Sequence, residues 1–64
     1  MAILVSQDVL DGLEAVRESG KTNMIDYPMV AKLAKKMGYS ETYDWIILNP
    51  NLYGDGIFMG FEVE

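Results

Sequence analysis

Apolar residues in the first third of the chain recur at helical spacing. Val9, Leu10, Leu13 and Val16 share one face at 100° per residue, and Asp8, Asp11, Glu14 and Glu18 share the opposite one. Ser6 suits the N-cap, Val5 and Leu10 a flanking hydrophobic staple, and Gly20 the C′ position, so a helix is predicted from about Gln7 to Ser19. A second helix is predicted from about Tyr27 to Met37, with Asp26 as N-cap, Ile25 and Val30 as staple, and Pro28 in the first turn, where its missing N–H breaks no intrahelical bond. Its buried stripe would be Met29, Val30, Leu33, Ala34 and Met37, with Lys32, Lys35 and Lys36 opposite. That basic face is a candidate to pair with the acidic stripe of the first helix, within the chain or across an interface.

A third helix, about Glu41 to Leu48, is expected behind an N-cap at Ser40. It should stop before Pro50, whose ring steers the preceding residue away from helical angles. Tyr43, Ile46 and Ile47 form one apolar face, but Trp45 and Leu48 project to the other side. A helix apolar nearly all round needs cover on both sides. Trp45 and Leu48 are therefore expected at an interface or beneath the C-terminal segment.

The tail "NPNLYGDGIFMGFEVE" supports two readings. As a helix, Asn49 caps, Pro50 takes N1, and Leu52, Tyr53, Ile57 and Met59 face inward, while Gly54 and Gly56 each weaken it by about 1 kcal/mol relative to Ala. As a strand, Ile57, Met59, Phe61 and Val63 alternate with Phe58, Gly60, Glu62 and Glu64. The favoured reading is a fourth helix to about Met59 with "FEVE" extended, and "AILV" near the N-terminus pairing with it as a small ribbon. The fold class is therefore mainly α: a single domain of three to four helices over residues 1–64, with a short terminal β-ribbon.

Length sharpens this picture. A chain of 64 residues buries only about 60% of the surface its unfolded form exposes. It has no cysteine for a disulfide or thiolate zinc site and no histidine, the commonest general base. Half the residues are apolar, a surplus that favours self-association, most simply as a homodimer, or a partner-binding face. The longest apolar runs, "MAILV" and "WIIL", fall far short of the roughly 20 residues of a membrane span. With no basic n-region of a signal peptide, a cytoplasmic protein is expected.

Charge is unevenly placed. The net value is −5; residues 1–36 hold five acids and all five bases, and residues 37–64 hold Glu41, Asp44, Asp55, Glu62 and Glu64 with no base. Six of the seven aromatics, including Tyr43, Trp45 and Tyr53, fall in the same acidic half. Nucleic-acid binders normally cluster Lys and Arg.

Candidate chemistry is sparse. "KKMGYSETYDW" carries part of a helix-turn-helix pattern, with Ala34 for close approach, Gly38 for the turn, and Leu33, Met37 and Ile47 at core positions. Yet Asp44 occupies a position that pattern fills with a buried aliphatic. The would-be recognition helix "ETYDWIIL" also has two acids and no Lys, Arg, Asn or Gln to read base edges. "YGDG" lacks the length and Lys of a phosphate loop. Glu62 and Glu64 on one strand face read as solubilising charges, and no tyrosine has a base beside it in sequence. No nucleophile–base pair can be proposed, so no enzyme, cofactor or metal site is expected. The acidic stripe of the first helix reads as a solvated face or, more sharply, as a mimic of a phosphate row.

The run Arg17-x-Ser19-Gly20-x-x-Asn23-Met24-x-Asp26, then Gly38-Tyr39, Trp45-Ile46, Tyr53, Ile57-Phe58 and Gly60, resembles a group of small uncharacterised proteins of bacterial phages and prophages. The likeness runs from residue 10 onward. Ile25, where an aromatic is commoner, and the paired Gly54 and Gly56 depart from the pattern. The resemblance carries no activity, but it implies a phage setting. There, small acidic proteins without catalytic groups often bind host proteins, including components of antiviral defence; that step is analogy. The leading expectation is thus a non-enzymatic protein that binds and inhibits a host protein in the bacterial cytoplasm, without touching nucleic acid or membrane. Its contact residues would be Asp8, Asp11, Glu14, Glu18, Glu41 and Asp44 as charges, with Tyr43, Trp45 and Tyr53 as apolar anchors. The alternatives are a helix-turn-helix regulator and an accessory subunit of a phage assembly or replication complex.

Overall fold

In the computed structural model, which describes residues 2–64, the order is β1 (Ile3–Val5), α1 (Gln7–Ser19), α2 (Tyr27–Lys36), α3 (Ser40–Leu48), α4 (Pro50–Met59) and β2 (Phe61–Val63). The mainly helical fold with a terminal ribbon is as the periodicities predict. The ribbon is parallel, registering Ile3 with Phe61, Leu4 with Glu62 and Val5 with Val63. No helix among the described residues is long and apolar enough to cross a membrane.

Local sequence sets the helix ends. The Ser6 side chain accepts the Val9 N–H at 3.3 Å, satisfying one free donor of the first turn of α1. Gly20 closes the helix at φ 65 with its N–H on the Arg17 carbonyl. Ser19 donates to the Val16 carbonyl and accepts the Lys21 N–H, and Asn23 Oδ1 accepts the Ile25 N–H. The polar residues of the Ser-Gly-x-x-Asn run thus build the turn that leaves α1. After α2, Gly38 at φ 98 donates to the Lys35 carbonyl and Tyr39 to the Ala34 carbonyl, the paired bonds of a Schellman turn.

Several capping expectations are corrected. Asp26 holds the N-cap position of α2, but its side chain makes no capping bond, and Ile25 is exposed rather than stapled. Tyr39, not Ser40, is the N-cap of α3, because the Schellman turn has already reversed the chain by that residue. Asn49 precedes α4, yet its side chain turns back to donate to the Trp45 carbonyl at 3.0 Å, closing α3 instead of capping α4.

The core is Val5, Val9, Leu13, Val16, Val30, Ala31, Ala34, Ile46 and Tyr53. On α2 the buried side is Val30, Ala31 and Ala34, while Met29 and Met37 are exposed and Leu33 is half-buried. The reason is closeness: two alanines let α3 approach, which turns the inward arc away from Met29, and Met37 lies beyond the last helical turn. On α3, Ile46 is buried with Thr42, whereas Ile47 is exposed. On α4, Tyr53 is buried and Ile57 half-buried, but Leu52 and Met59, expected inward, are exposed.

Two glycines mark where elements touch. A Cβ on Gly12 would overlap the Thr42 hydroxyl and come within 2.7 Å of Thr42 Cβ, so α1 and α3 meet at backbone distance. Thr42 fills that contact by donating to the Asp8 and Val9 carbonyls at 3.2 Å each. A Cβ on Gly56 would overlap the Phe61 ring. The glycine that weakens α4 locally is therefore what lets β2 fold over it.

Candidate functional site

The crossing of α1 and α3 decides where the acidic residues lie. Thr42, fixed to the Asp8 and Val9 carbonyls, brings the first turn of α3 against the first turn of α1. Glu41, one residue earlier, accepts the Ser6 hydroxyl at 3.1 Å through Oε2. The carboxylate thus sits at the N-terminus of α1, where the helix dipole and unpaired amides favour negative charge. Asp8 lies in that same turn. Asp11 accepts the Gln7 amide at 2.7 Å and, with Glu18, continues the stripe along the exposed side of α1. Glu41, Asp44 and Leu48 follow one another at spacings of three and four, so they share the outer face of α3. Asp44 is exposed and Leu48 is 79% exposed. Asp8, Asp11, Glu14, Glu18, Glu41 and Asp44 therefore lie on the exposed sides of two helices joined at their N-terminal ends, and Leu48 stands one turn beyond Asp44 at the far end of α3.

Glu14 keeps the phase of the α1 stripe, three residues from Asp11 and four from Glu18, and is exposed like them. It also stands with Arg17 on the rim of an apolar groove of about 300 Å³. On α2, Lys35 lies over the Tyr43 ring, 4.6 Å from its centroid.

The three aromatics expected as anchors are mostly taken up by the fold. Tyr53 is corrected outright: it is 1% exposed, and its hydroxyl donates to the Met24 carbonyl at 2.6 Å. Burial pushes its phenol up to about 12, because the ionised form would lose water without gaining a partner. Trp45 is half-buried and meets Phe61 edge to face, centroids 6.0 Å apart, so it lies beneath the C-terminal strand. Tyr43 is half-buried under Lys35. Among the described residues, Leu48 and Phe58 are the large apolar side chains most open to solvent. Their helical phase carries the signal: Leu48 falls opposite Ile46, and Phe58 falls well off the Tyr53 face.

Among the described residues, no group of three or more acidic, histidine or cysteine side chains is arranged to hold a metal ion. No curated protein and no solved structure matches the chain. A family model does, over residues 5–60, spanning α1 to α4 with the turns between them. The chain belongs to the family described as Domain of unknown function (DUF5049).

Proposed function

We propose that this domain is a non-enzymatic binding protein that engages a basic host protein through the acidic face shared by α1 and α3. The observation that carries this reading is the Ser6–Glu41 hydrogen bond, which joins the acids of α3 to the head of the α1 stripe. Such a face attracts a partner whose own surface is positive, and Leu48 supplies an apolar anchor at its end, one turn beyond Asp44. The likeness to phage and prophage proteins supports the setting: the partner is a nucleic-acid-binding protein of the host, with antiviral defence components as the leading class. The acidic face would occupy the channel meant for phosphates and so inhibit it. The alternative of DNA reading is weakened by Glu41 and Asp44, which would face phosphate if α3 entered a groove.

The test is capture from bacterial lysate after nuclease treatment, using the wild-type chain and two variants. One is Asp8→Asn, Asp11→Asn, Glu41→Gln combined, and the other is Leu48→Ser. The expected result is one stoichiometric host partner, lost with the triple variant, weakened with Leu48→Ser, and displaced from the wild type by oligonucleotide. Equal capture by the triple variant would sink the proposal. A phage protein as sole partner would instead favour an accessory subunit.

A further inference from the structure

Helix α1 packs on α2 and α3, and α4 packs on the same two helices and on β1, but α1 and α4 scarcely meet each other. The gap between them is the groove of about 300 Å³, lined by Leu10, Leu13, Met24, Ile57 and Phe61. Each of those side chains is buried or half-buried. Two of the residues are also fixed from behind. The Tyr53 hydroxyl holds the Met24 carbonyl, and the Phe61 ring lies over Gly56 and against Trp45. The walls are therefore set by the fold, as in a small-molecule site, and a cavity of about 150 Å³ already accepts benzene.

We propose that this groove binds a free α-amino acid with a large apolar side chain. The charges on the rim select that class. Glu14 and Arg17 are the two polar side chains of the lining. They stand three apart on α1, which sets their Cβ atoms about 5–6 Å from each other. A neutral apolar molecule would use neither charge, and a molecule with one charge would gain one partner and meet one repulsion. An α-amino acid carries an ammonium and a carboxylate on the carbon that bears its side chain, so it satisfies both at once. Its ammonium faces the Glu14 carboxylate and its carboxylate the Arg17 guanidinium, while the side chain descends among Leu13, Ile57 and Phe61. An aromatic side chain adds a ring contact with Phe61.

Titration of the full chain followed by amide NMR shifts tests the proposal, with three probes. L-Phenylalanine carries both charges, 3-phenylpropanoate lacks the ammonium, and 2-phenylethylamine lacks the carboxylate. L-Phenylalanine is expected to shift the amides of Leu13, Arg17, Ile57 and Phe61 saturably, with a dissociation constant on the order of 0.1–1 mM. Each singly charged probe should bind at least about fivefold more weakly. Glu14→Gln should weaken L-phenylalanine and bring it within about twofold of 3-phenylpropanoate, and Arg17→Gln should do the same against 2-phenylethylamine. Both positions are exposed, so the variants should keep the wild-type circular dichroism, and a merely structural role would leave the order of the probes unchanged. No saturation by about 20 mM L-phenylalanine overturns the proposal. So does a wild type that binds either singly charged probe as tightly, or a preference that survives both substitutions. The readout is a small molecule, so capture of a host protein by the acidic face does not decide the outcome.

Discussion

Position 12 shows how much one absent methyl group decides. Helix propensity alone favours Ala over Gly by about 1 kcal/mol, yet a Cβ there would strike Thr42 and Tyr39. Gly12→Ala should therefore destabilise by about 1–3 kcal/mol, the usual cost of overpacking. Gly54 is the control, since a Cβ there meets nothing within 4 Å. Gly54→Ala should raise stability by about 0.5–1 kcal/mol, and thermal melts of the two variants should move in opposite directions. Tyr53 carries a pH signature of its own. Its folded phenol titrates at about 12 against 10.0 for an ordinary tyrosine, so the folded state holds its proton more tightly. The associated stability is fully present below pH 10 and is lost as pH rises towards 12, by about 2–3 kcal/mol in all. Tyr53→Phe should flatten that alkaline limb in denaturant titrations. At neutral pH it should cost about 1–3 kcal/mol, because the Met24 carbonyl loses its donor.

Among the elements, those with strong local signals were the legible ones. The ends of α1 follow from Ser6 and Gly20, and α4 forms despite two glycines because Pro50 and the apolar spacing outweigh them. What stayed illegible depends on tertiary closeness. No periodicity announces that Ala31 and Ala34 turn α2 inward, that Gly12 lets α3 touch α1, or that Phe61 covers Gly56. The candidate site divides along the same line. The exposure of the acidic residues was legible because ionised side chains stay in water, while Tyr53 could be read both as an inward residue of α4 and as an outward anchor, and burial won because its hydroxyl finds the Met24 carbonyl. The β2 cover can be tested through the single tryptophan. Phe61→Ala removes the ring that meets Trp45 and Tyr53. It should cost roughly 2 kcal/mol and shift Trp45 fluorescence to longer wavelength as water reaches the indole.

For the molecule as a whole, small size sets the terms. Even so, its Cα extents of 29 × 21 × 20 Å are about two and a half to three and a half Debye lengths at physiological salt, so an approaching partner feels chiefly the charges of the face it meets. If the acidic face binds a basic protein, association should slow by about tenfold or more between low and high salt, while dissociation changes less. Stopped-flow mixing with the captured partner would show this. The parallel ribbon has a different consequence, which concerns synthesis. Ile3 and Phe61, paired in register, are 58 positions apart in the chain. At about 5–20 residues per second, β1 waits roughly 3–12 s on the ribosome before its partner strand exists. Through that interval Ile3, Leu4 and Val5 have no strand to pair with, so the ribbon can close only after Phe61 to Val63 have been made.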